Sequence, residues 1–332
     1  MGFIEKRNSE TLARTEKILD KNPPFLAVFI NAISQKTSPL TRLNYASDIS
    51  AFLGFMKENL GREIKTAKDL ESLSVHDIEV YLAFLSKMTE RSVARKVSAL
   101  KNLFKYFLKI GEIEKNVMEK IDAPKIHDKE IIRLDKDESR ELIDAPDELA
   151  DQTEHQRSYT IKTSARDKMI IVLFLATGIR ISELAALNIC DINFKDNSFR
   201  VQRKGGNVSI LYMPDFCAEE LKSYLGERVK NIAEPLFLSL KTSENGAKRG
   251  DQRLLPRAIQ NVIYKYARVV SPLKKISPHK LRSTFGTNLY EAVQDIYVVA
   301  EVLGHKDVNT TRKHYAHMSE EIKKQASKSV QL

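Results

Sequence analysis

The sequence predicts a mainly α-helical protein of two domains with a small β-hairpin. Residues 25–120 repeat apolar side chains at the helical period. A charged, proline-containing run at 122–134 then stops the pattern, as a linker does. Beyond it, two strand-like runs flank Gly205-Gly206 among further helical segments. A chain of 332 residues suits two domains at roughly 100–200 residues each.

Residues 1–24 form an N-terminal extension ahead of the first apolar run. In the first domain, 25–121, helices are expected over Phe25–Ile33, Thr41–Glu58 (Leu43, Ile49, Phe52, Leu53, Met56), Val75–Ser86 (Ile78, Val80, Tyr81, Phe84, Leu85) and Arg91–Ile110. The last is the most regular. Val93, Val97, Leu100, Leu103, Phe104, Phe107 and Leu108 gather on one side. Arg91, Arg95, Lys105 and Lys109 gather opposite, within about 40° of one line. Such a basic face is either a solvated surface or a helix laid along a phosphate backbone.

The second domain, 135–332, opens on a helix that Asp135 and Glu138 would cap reciprocally. Residues 148–166 are polar and irregular, an insertion or a mobile loop. Lys168–Ala176 is a buried helix ended by Thr177-Gly178, and Ser182 would cap a short helix over Glu183–Leu187. Ser198–Lys204 and Asn207–Met213 form a hairpin with a two-residue turn. Helices follow at Ala218–Ile232, Arg257–Val270, His279–Val293 and Val298–Leu303, and the run from Asn309 to Tyr315 has a helical look.

Composition narrows the class. The chain is 42% hydrophobic and 30% charged, as in a soluble globular protein. Lys and Arg number 54 against 44 Asp and Glu, a net charge of +10 that suits a polyanionic partner. The two cysteines, Cys190 and Cys217, make neither a disulfide framework nor a four-thiolate zinc site, and point to a reducing compartment, the cytoplasm. No apolar run reaches the roughly 18 residues of a membrane span. The N-terminus lacks a signal-peptide core, and Lys6 stands where myristoylation wants Ser or Thr. There is no GxxxxGK[ST] loop and no GxGxxG fingerprint.

Four segments carry chemistry. In Ala176-Thr-Gly-Ile-Arg180-Ile-Ser-Glu183-Leu184 an arginine sits in a tight turn, three residues before a carboxylate. Arg203-Lys204-Gly205-Gly206 puts a lysine at a hairpin tip. In Ser277-Pro278-His279-Lys280-Leu281-Arg282, Ser277 and Pro278 suit a helix start, and His279 and Arg282 share a face. Leu303-Gly304-His305 precedes Tyr315 by ten residues. Singly, each has a structural reading: a capped turn, a solvated lysine, a surface pair, a helix-end histidine. Together they form a different set. Two arginines suit the non-bridging oxygens of a phosphate. A tyrosine can be a covalent nucleophile, but its ordinary pKa near 10 demands a proton acceptor. A lysine or histidine can protonate a leaving alkoxide.

In this order the segments resemble the tyrosine recombinases, or phage-integrase family, whose signature Arg…Lys…His-x-x-Arg…His/Trp…Tyr is matched by Arg180, Lys204, His279, Arg282, His305 and Tyr315. Ser38-Pro-Leu-Thr41-Arg-Leu-Asn-Tyr45-Ala-Ser-Asp48-Ile and Arg95-Lys-Val-Ser98-Ala-Leu100 are similar to the family's core-binding domain. The resemblance runs from about Phe25 to the tail and is nearest to the Xer group, with features of its single-recombinase XerS type. Ser283 departs from it, because many relatives carry a second histidine there.

The resemblance implies a helical, SAM-like core-binding domain plus an α+β catalytic domain. It implies that Tyr315 attacks a DNA phosphate to give a 3′-phosphotyrosine while a 5′-hydroxyl leaves. Arg180 and Arg282 would hold the phosphate, Lys204 would protonate the leaving oxygen, His279 would assist at Tyr315, His305 would hydrogen-bond the phosphate and Glu183 would orient Arg180. DNA contacts are expected from Thr41, Tyr45, Arg91, Arg95, Lys101 and Lys105. No cofactor and no metal are implied. The implied partners are double-stranded DNA with inverted-repeat sites, a homotetramer with two protomers per duplex, and a DNA translocase as regulator, with no membrane. The tail over Glu320–Val330 either docks on a neighbouring protomer or is a solvated end. An integrase of a mobile element, a type IB topoisomerase and a non-catalytic DNA-binding module are the competing readings. The short extension before Phe25 leaves no room for an arm-binding domain and favours a simple-site recombinase.

Overall fold

The computed structural model describes residues 2–125, 132–148, 162–203, 206–228, 235–239, 253–304 and 308. The chain forms two compact units, Met1–Lys129 and Glu130–Leu332.

The first unit is helical: α1 (Phe3–Leu19), α2 (Pro24–Ala32), α3 (Pro39–Leu60), α4 (Val75–Phe84) and α5 (Glu90–Lys109), with short 3₁₀ turns between them. The predicted helices are all present, with ends shifted by a few residues. Ser38 caps α3 by accepting the Thr41 N–H, and Thr89 caps α5 by accepting that of Ser92. Phe25, Phe29, Ile49, Phe52, Met56, Ile78, Tyr81, Leu100, Phe104 and Phe107 make one core. Phe84 departs from its expected core position. It is 63% exposed, its ring resting on Phe55 at 4.8 Å between centroids. The N-terminal extension is mostly the helix α1, which packs on α3. Thr15 is buried, and Asn22 Nδ2 donates to Ser50 Oγ at 3.0 Å.

The second unit comprises α6 (Lys136–Asp144), α7 (Ser164–Thr177), α8 (Ile181–Ala186), β1 (Ile192–Asn193), β2 (Ser198–Gln202), β3 (Val208–Tyr212), α9 (Asp215–Glu227), α10 (Pro256–Val270), α11 (Pro278–Val293) and α12 (Ile296–Leu303). The helix α7 is its centre. Met169, Ile170, Ile171, Val172, Leu173 and Phe174 are all buried, so it is apolar on every side. It contacts α6, α9, α10 and α11. The Asp135–Glu138 capping box forms as expected, with both reciprocal bonds at 2.8 Å.

Several details differ from expectation. Ser164–Arg166 belong to α7 rather than to the irregular run. Arg166 is buried because Asp167 pairs with it at 2.7 Å and Leu238 O accepts from it. Arg180, not Ser182, is the N-cap residue of α8, because the Glu183 carboxylate reaches back to the Arg180 N–H at 3.0 Å. Ser277 occupies the N-cap position of α11, but its hydroxyl accepts no capping bond. The sheet has a third strand, in antiparallel order β1-β2-β3. Its hairpin loop is three residues, not two. The Arg203 N–H donates to Asn207 O and the Gly206 N–H to Arg203 O, with Gly206 at φ 85°. That pattern suits a turn closed by a left-handed glycine. Residues 149–161, most of the proposed insertion, and 126–131 of the proposed linker lie outside the described residues, as do Lys204, Gly205, His305, Tyr315 and the tail.

Candidate active site and DNA-binding face

In the second unit, three arginines from separate segments meet at one helix end. Gly178 closes α7 at φ +61°, turning the chain so that Arg180 precedes α8. Arg180 Nη1 pairs with the buried Glu183 Oε1 at 2.9 Å, and its Nη2 donates to Gly304 O at 2.9 Å. Arg282, on the inner face of α11, donates to Gly178 O and Leu303 O. Arg203, just past β2, donates from Nη2 to Val302 O at 3.2 Å. Three guanidinium groups therefore hold three consecutive carbonyls where α12 ends. A helix C-terminus carries partial negative charge, which favours cations there. The carbonyls also satisfy Arg282, which is only 6% exposed and would otherwise be a buried, unsolvated charge.

The expected residues are placed unevenly. Arg180 and Arg282 come together, and Glu183 orients Arg180 through two bonds. His279 stands on the exposed side of α11, one turn before the buried Arg282. Ser283 donates to His279 O at 3.0 Å. Arg203 is a residue the sequence reading passed over. Burial lowers its pKa from the usual arginine range, Glu183 opposes that shift, and the charge on Arg180 adds to it. Strand parity was the available signal: Phe199 and Val201 point inward on β2, and residue 203 shares their parity.

In the first unit, the two core-binding motifs meet each other. Asp48 on α3 is buried and pairs with both Arg95 and Lys96 of α5, the latter at 3.0 Å. Tyr45 Oη lies 3.5 Å from Ser98 Oγ and accepts from Asn102 Nδ2 at 3.3 Å. At 100° per residue Ser98 and Asn102 fall on the same line as Arg91, Arg95, Lys105 and Lys109. The basic face is thus a polar stripe with Tyr45 beside it. Arg91, Arg95, Lys105 and Lys109 are exposed and Lys101 is half-buried at its edge, whereas Thr41 is engaged at the α3 cap, its Oγ1 2.9 Å from Ser38 Oγ.

Residues 133–321 match the family model described as "Phage integrase family", and residues 27–111 match "Phage integrase, N-terminal SAM-like domain". The chain belongs to the phage integrase family. It is a tyrosine recombinase, an enzyme that breaks and rejoins DNA. Among curated relatives, a tyrosine recombinase XerC of Pelobacter propionicus is 31% identical over 284 residues, covering 85% of this chain and 86% of that protein. A tyrosine recombinase XerC of Thermodesulfovibrio yellowstonii is 31% identical over 302 residues, covering 89% of this chain and 91% of that protein. Two solved structures share the fold. A XerH site-specific recombinase bound to a palindromic difH substrate gives a TM-score of 0.66 at 21% identity, covering 88% of this chain and 81% of that one. A lambda integrase dimer bound to a COC′ core site gives 0.63 at 19% identity, covering 88% and 94%. The recombinase is Xer-like by the names of these relatives. Helix α1 lies outside the matched N-terminal domain.

Proposed function

We propose that this recombinase is a Xer-type enzyme that cleaves and rejoins a specific DNA site through a 3′-phosphotyrosine on Tyr315, and that it resolves chromosome dimers in the cytoplasm. The observation that carries the chemistry is the meeting of Arg180 and Arg282 on the adjacent carbonyls of Gly304 and Leu303. Two planar, permanently charged donors are concentrated where the backbone runs on to His305 and Tyr315. A phosphate placed there gains bidentate contacts that strengthen as charge builds on its oxygens.

In the proposed step, the Tyr315 phenolate oxygen bonds to phosphorus and the phosphorus–O5′ bond breaks. The phenol proton passes toward His279. The electron pair left on O5′ takes a proton from the Lys204 ammonium. His305 donates to the phosphate, and Glu183 holds Arg180. The 5′-hydroxyl of a partner strand then attacks the phosphotyrosine in reverse. Because the covalent link keeps the bond energy, the cycle calls for no nucleotide cofactor.

On this reading residues 25–121 form the core-binding domain, 122–134 the linker and 135–332 the catalytic domain. Tyr45 and the stripe of α5 face the DNA backbone. Thr41, Arg91, Arg95, Lys101 and Lys105 belong to that contact, with Arg95 also tied to Asp48. The site is an inverted repeat, two protomers bind each duplex, four make the synapse and a DNA translocase controls it. Relatives named XerC over most of their length support the Xer reading.

Covalent trapping tests it. The protein and Tyr315→Phe are incubated with nicked fragments of the source genome, and the adducts are sequenced. Tyr315-dependent adducts at one chromosomal site opposite the replication origin are expected. Adducts at the ends of a mobile segment would replace dimer resolution with integration, and normal adducts from Tyr315→Phe would overturn the mechanism.

A further inference from the structure

Arg203 is outside the recombinase signature, yet it makes the same kind of contact as the two signature arginines. Its Nη2 donates to Val302 O at 3.2 Å, the carbonyl before those taken by Arg282 and Arg180. Gly304 lies directly against the guanidinium. At φ +62° a Cβ on residue 304 would overlap Arg203 Nη1 and Cζ and stand 3.0 Å from Nε. Arg203 Nε is buried and, among the described residues, has no hydrogen-bond partner, so packing on the glycine is what seats this edge of the group. The backbone of the same residue is fixed as well. Its N–H donates to Asn207 O at 2.7 Å and its carbonyl accepts from Gly206 at 3.1 Å, which closes the stem of the hairpin.

Arg203 thus joins two segments through one residue. Its backbone is the last paired position before Lys204. Its side chain is clamped to the helix end that precedes His305. A lysine side chain is a long, flexible four-carbon stem, and a general acid must lie within hydrogen-bond reach of the atom it protonates. Fixing the residue before it removes much of that freedom.

We propose that Arg203 is a positioning residue for general-acid catalysis: by anchoring the hairpin stem to the C-terminal end of α12, it holds Lys204 at the leaving 5′-oxygen. The proposal rests on the reading of Lys204 as the general acid. It predicts a defect in leaving-group protonation, and not in DNA binding or phosphate recognition.

Leaving-group chemistry tests this. A thiol ionises near pH 8.5, whereas an alcohol resembles water, at about 15.7. A DNA substrate with sulfur in place of the scissile bridging 5′-oxygen expels a thiolate and needs no acid. Cleavage of oxygen and sulfur substrates is compared for the full-length protein, Arg203→Ala, Arg203→Lys and Lys204→Ala, with DNA affinity and melting temperature recorded for each. Arg203→Ala is expected to cleave the oxygen substrate at least 10-fold more slowly, with unchanged affinity, and to return to within about 3-fold of the parent on sulfur. Arg203→Lys, which keeps the charge and loses the planar group that packs on Gly304, should fall between them. Unimpaired cleavage of the oxygen substrate by Arg203→Ala would overturn the proposal, as would a defect of equal size on both substrates. If Lys204→Ala itself gains nothing from sulfur, the general-acid reading of Lys204 fails and the Arg203 proposal falls with it. Rescue of Lys204→Ala but not of Arg203→Ala would remove the Arg203 proposal alone.

Discussion

Gly178 and Phe285 are packed so closely that no side chain fits at position 178. A Cβ there would overlap the edge of the Phe285 ring, standing 2.9 Å from Cε1, and would also meet Leu303 Cδ2 at 3.1 Å. The residue adopts φ +61°, which an L side chain rarely does. Its carbonyl accepts from Arg282, so any shift of this turn moves a signature arginine. Gly178→Ala should therefore destabilise the second unit by about 1–3 kcal/mol from strain alone and slow cleavage beyond what the stability loss explains. Thermal unfolding and single-turnover cleavage at a temperature where both proteins are folded check this. Full activity at full stability would show that the turn can relax.

Arg180 and Arg282 should fail differently when truncated. On the proposed mechanism each loses a donor to developing charge, which costs about 10²–10³ in rate. The Arg180 side chain is 35% exposed, but its loss alone strands the buried Glu183 carboxylate, so the comparison uses Arg180→Ala with Glu183→Gln, which removes that charge and should keep the melting temperature within a few degrees of the parent. Arg282 is 6% exposed, and its removal strips donors from the Gly178 and Leu303 carbonyls. Unsatisfied buried carbonyls cost about 1–3 kcal/mol each, so Arg282→Ala should lose cleavage and stability together. Equal melting temperatures for the two variants would contradict this placement.

Asp48 is the hinge of the first unit's polar packing. It is 3% exposed and pairs with Arg95 and with the 10%-exposed side chain of Lys96. Asp48→Asn strands the buried ammonium, which costs about 3–5 kcal/mol when one partner of a buried pair is removed. Asp48→Asn with Lys96→Met should recover much of that loss, because neither charge is then left alone. Urea unfolding of the three proteins measures the coupling. A double variant no more stable than Asp48→Asn would mean the pair is not what holds Lys96.

The helices of both units were legible because apolar residues recur every three to four positions, and the capping box at Asp135 because acid and donor stand at fixed spacing. The motif residues Tyr45, Asp48 and Ser98 were legible only as marks of resemblance, and Arg95 as one of a basic face. The reason for them is tertiary, since they touch across α3 and α5. Helix α1 was not legible, since Phe3–Leu19 carries few apolar residues and only Thr15 in it is buried. Arg203 was missed because an arginine near a hairpin tip reads as solvated. Its partner is a backbone carbonyl about a hundred residues away, and no side-chain pattern announces a carbonyl.

On the proposed DNA face, Lys105 and Arg95 separate binding from folding. Lys105 is exposed on the stripe of α5. If it neutralises one phosphate, Lys105→Gln should reduce the slope of log affinity against log salt by about 0.9, with no change in melting temperature. Arg95 shares that stripe but also pairs with Asp48, so Arg95→Gln should lower both affinity and stability. Binding isotherms at several salt concentrations, beside thermal melts, decide the matter. An unchanged slope for Lys105→Gln would take that residue out of the contact.

Glu138 gives the second unit an acid-sensitive fastening. Burial pushes its carboxyl up, but hydrogen bonds from Lys274, Ser271 and the Asp135 N–H outweigh that and hold its pKa at about 2, against an ordinary value of 4.5. Lys274 Nζ donates to it at 2.6 Å across the gap between α6 and the segment before α11. A carboxyl depressed on folding stabilises the folded state fully above its unfolded pKa, and that contribution drains away as pH falls toward the folded value. The window is therefore about pH 4.5 down to 2. Glu138→Gln cannot ionise, so it should be less stable than the parent at neutral pH by about 1.5–3 kcal/mol, the scale of hydrogen bonds to a charged group. The difference should shrink steadily below pH 4.5. Urea midpoints from pH 7 to 3 check both parts. A gap that stays constant through that range would mean that shape, and not charge, is what Glu138 contributes.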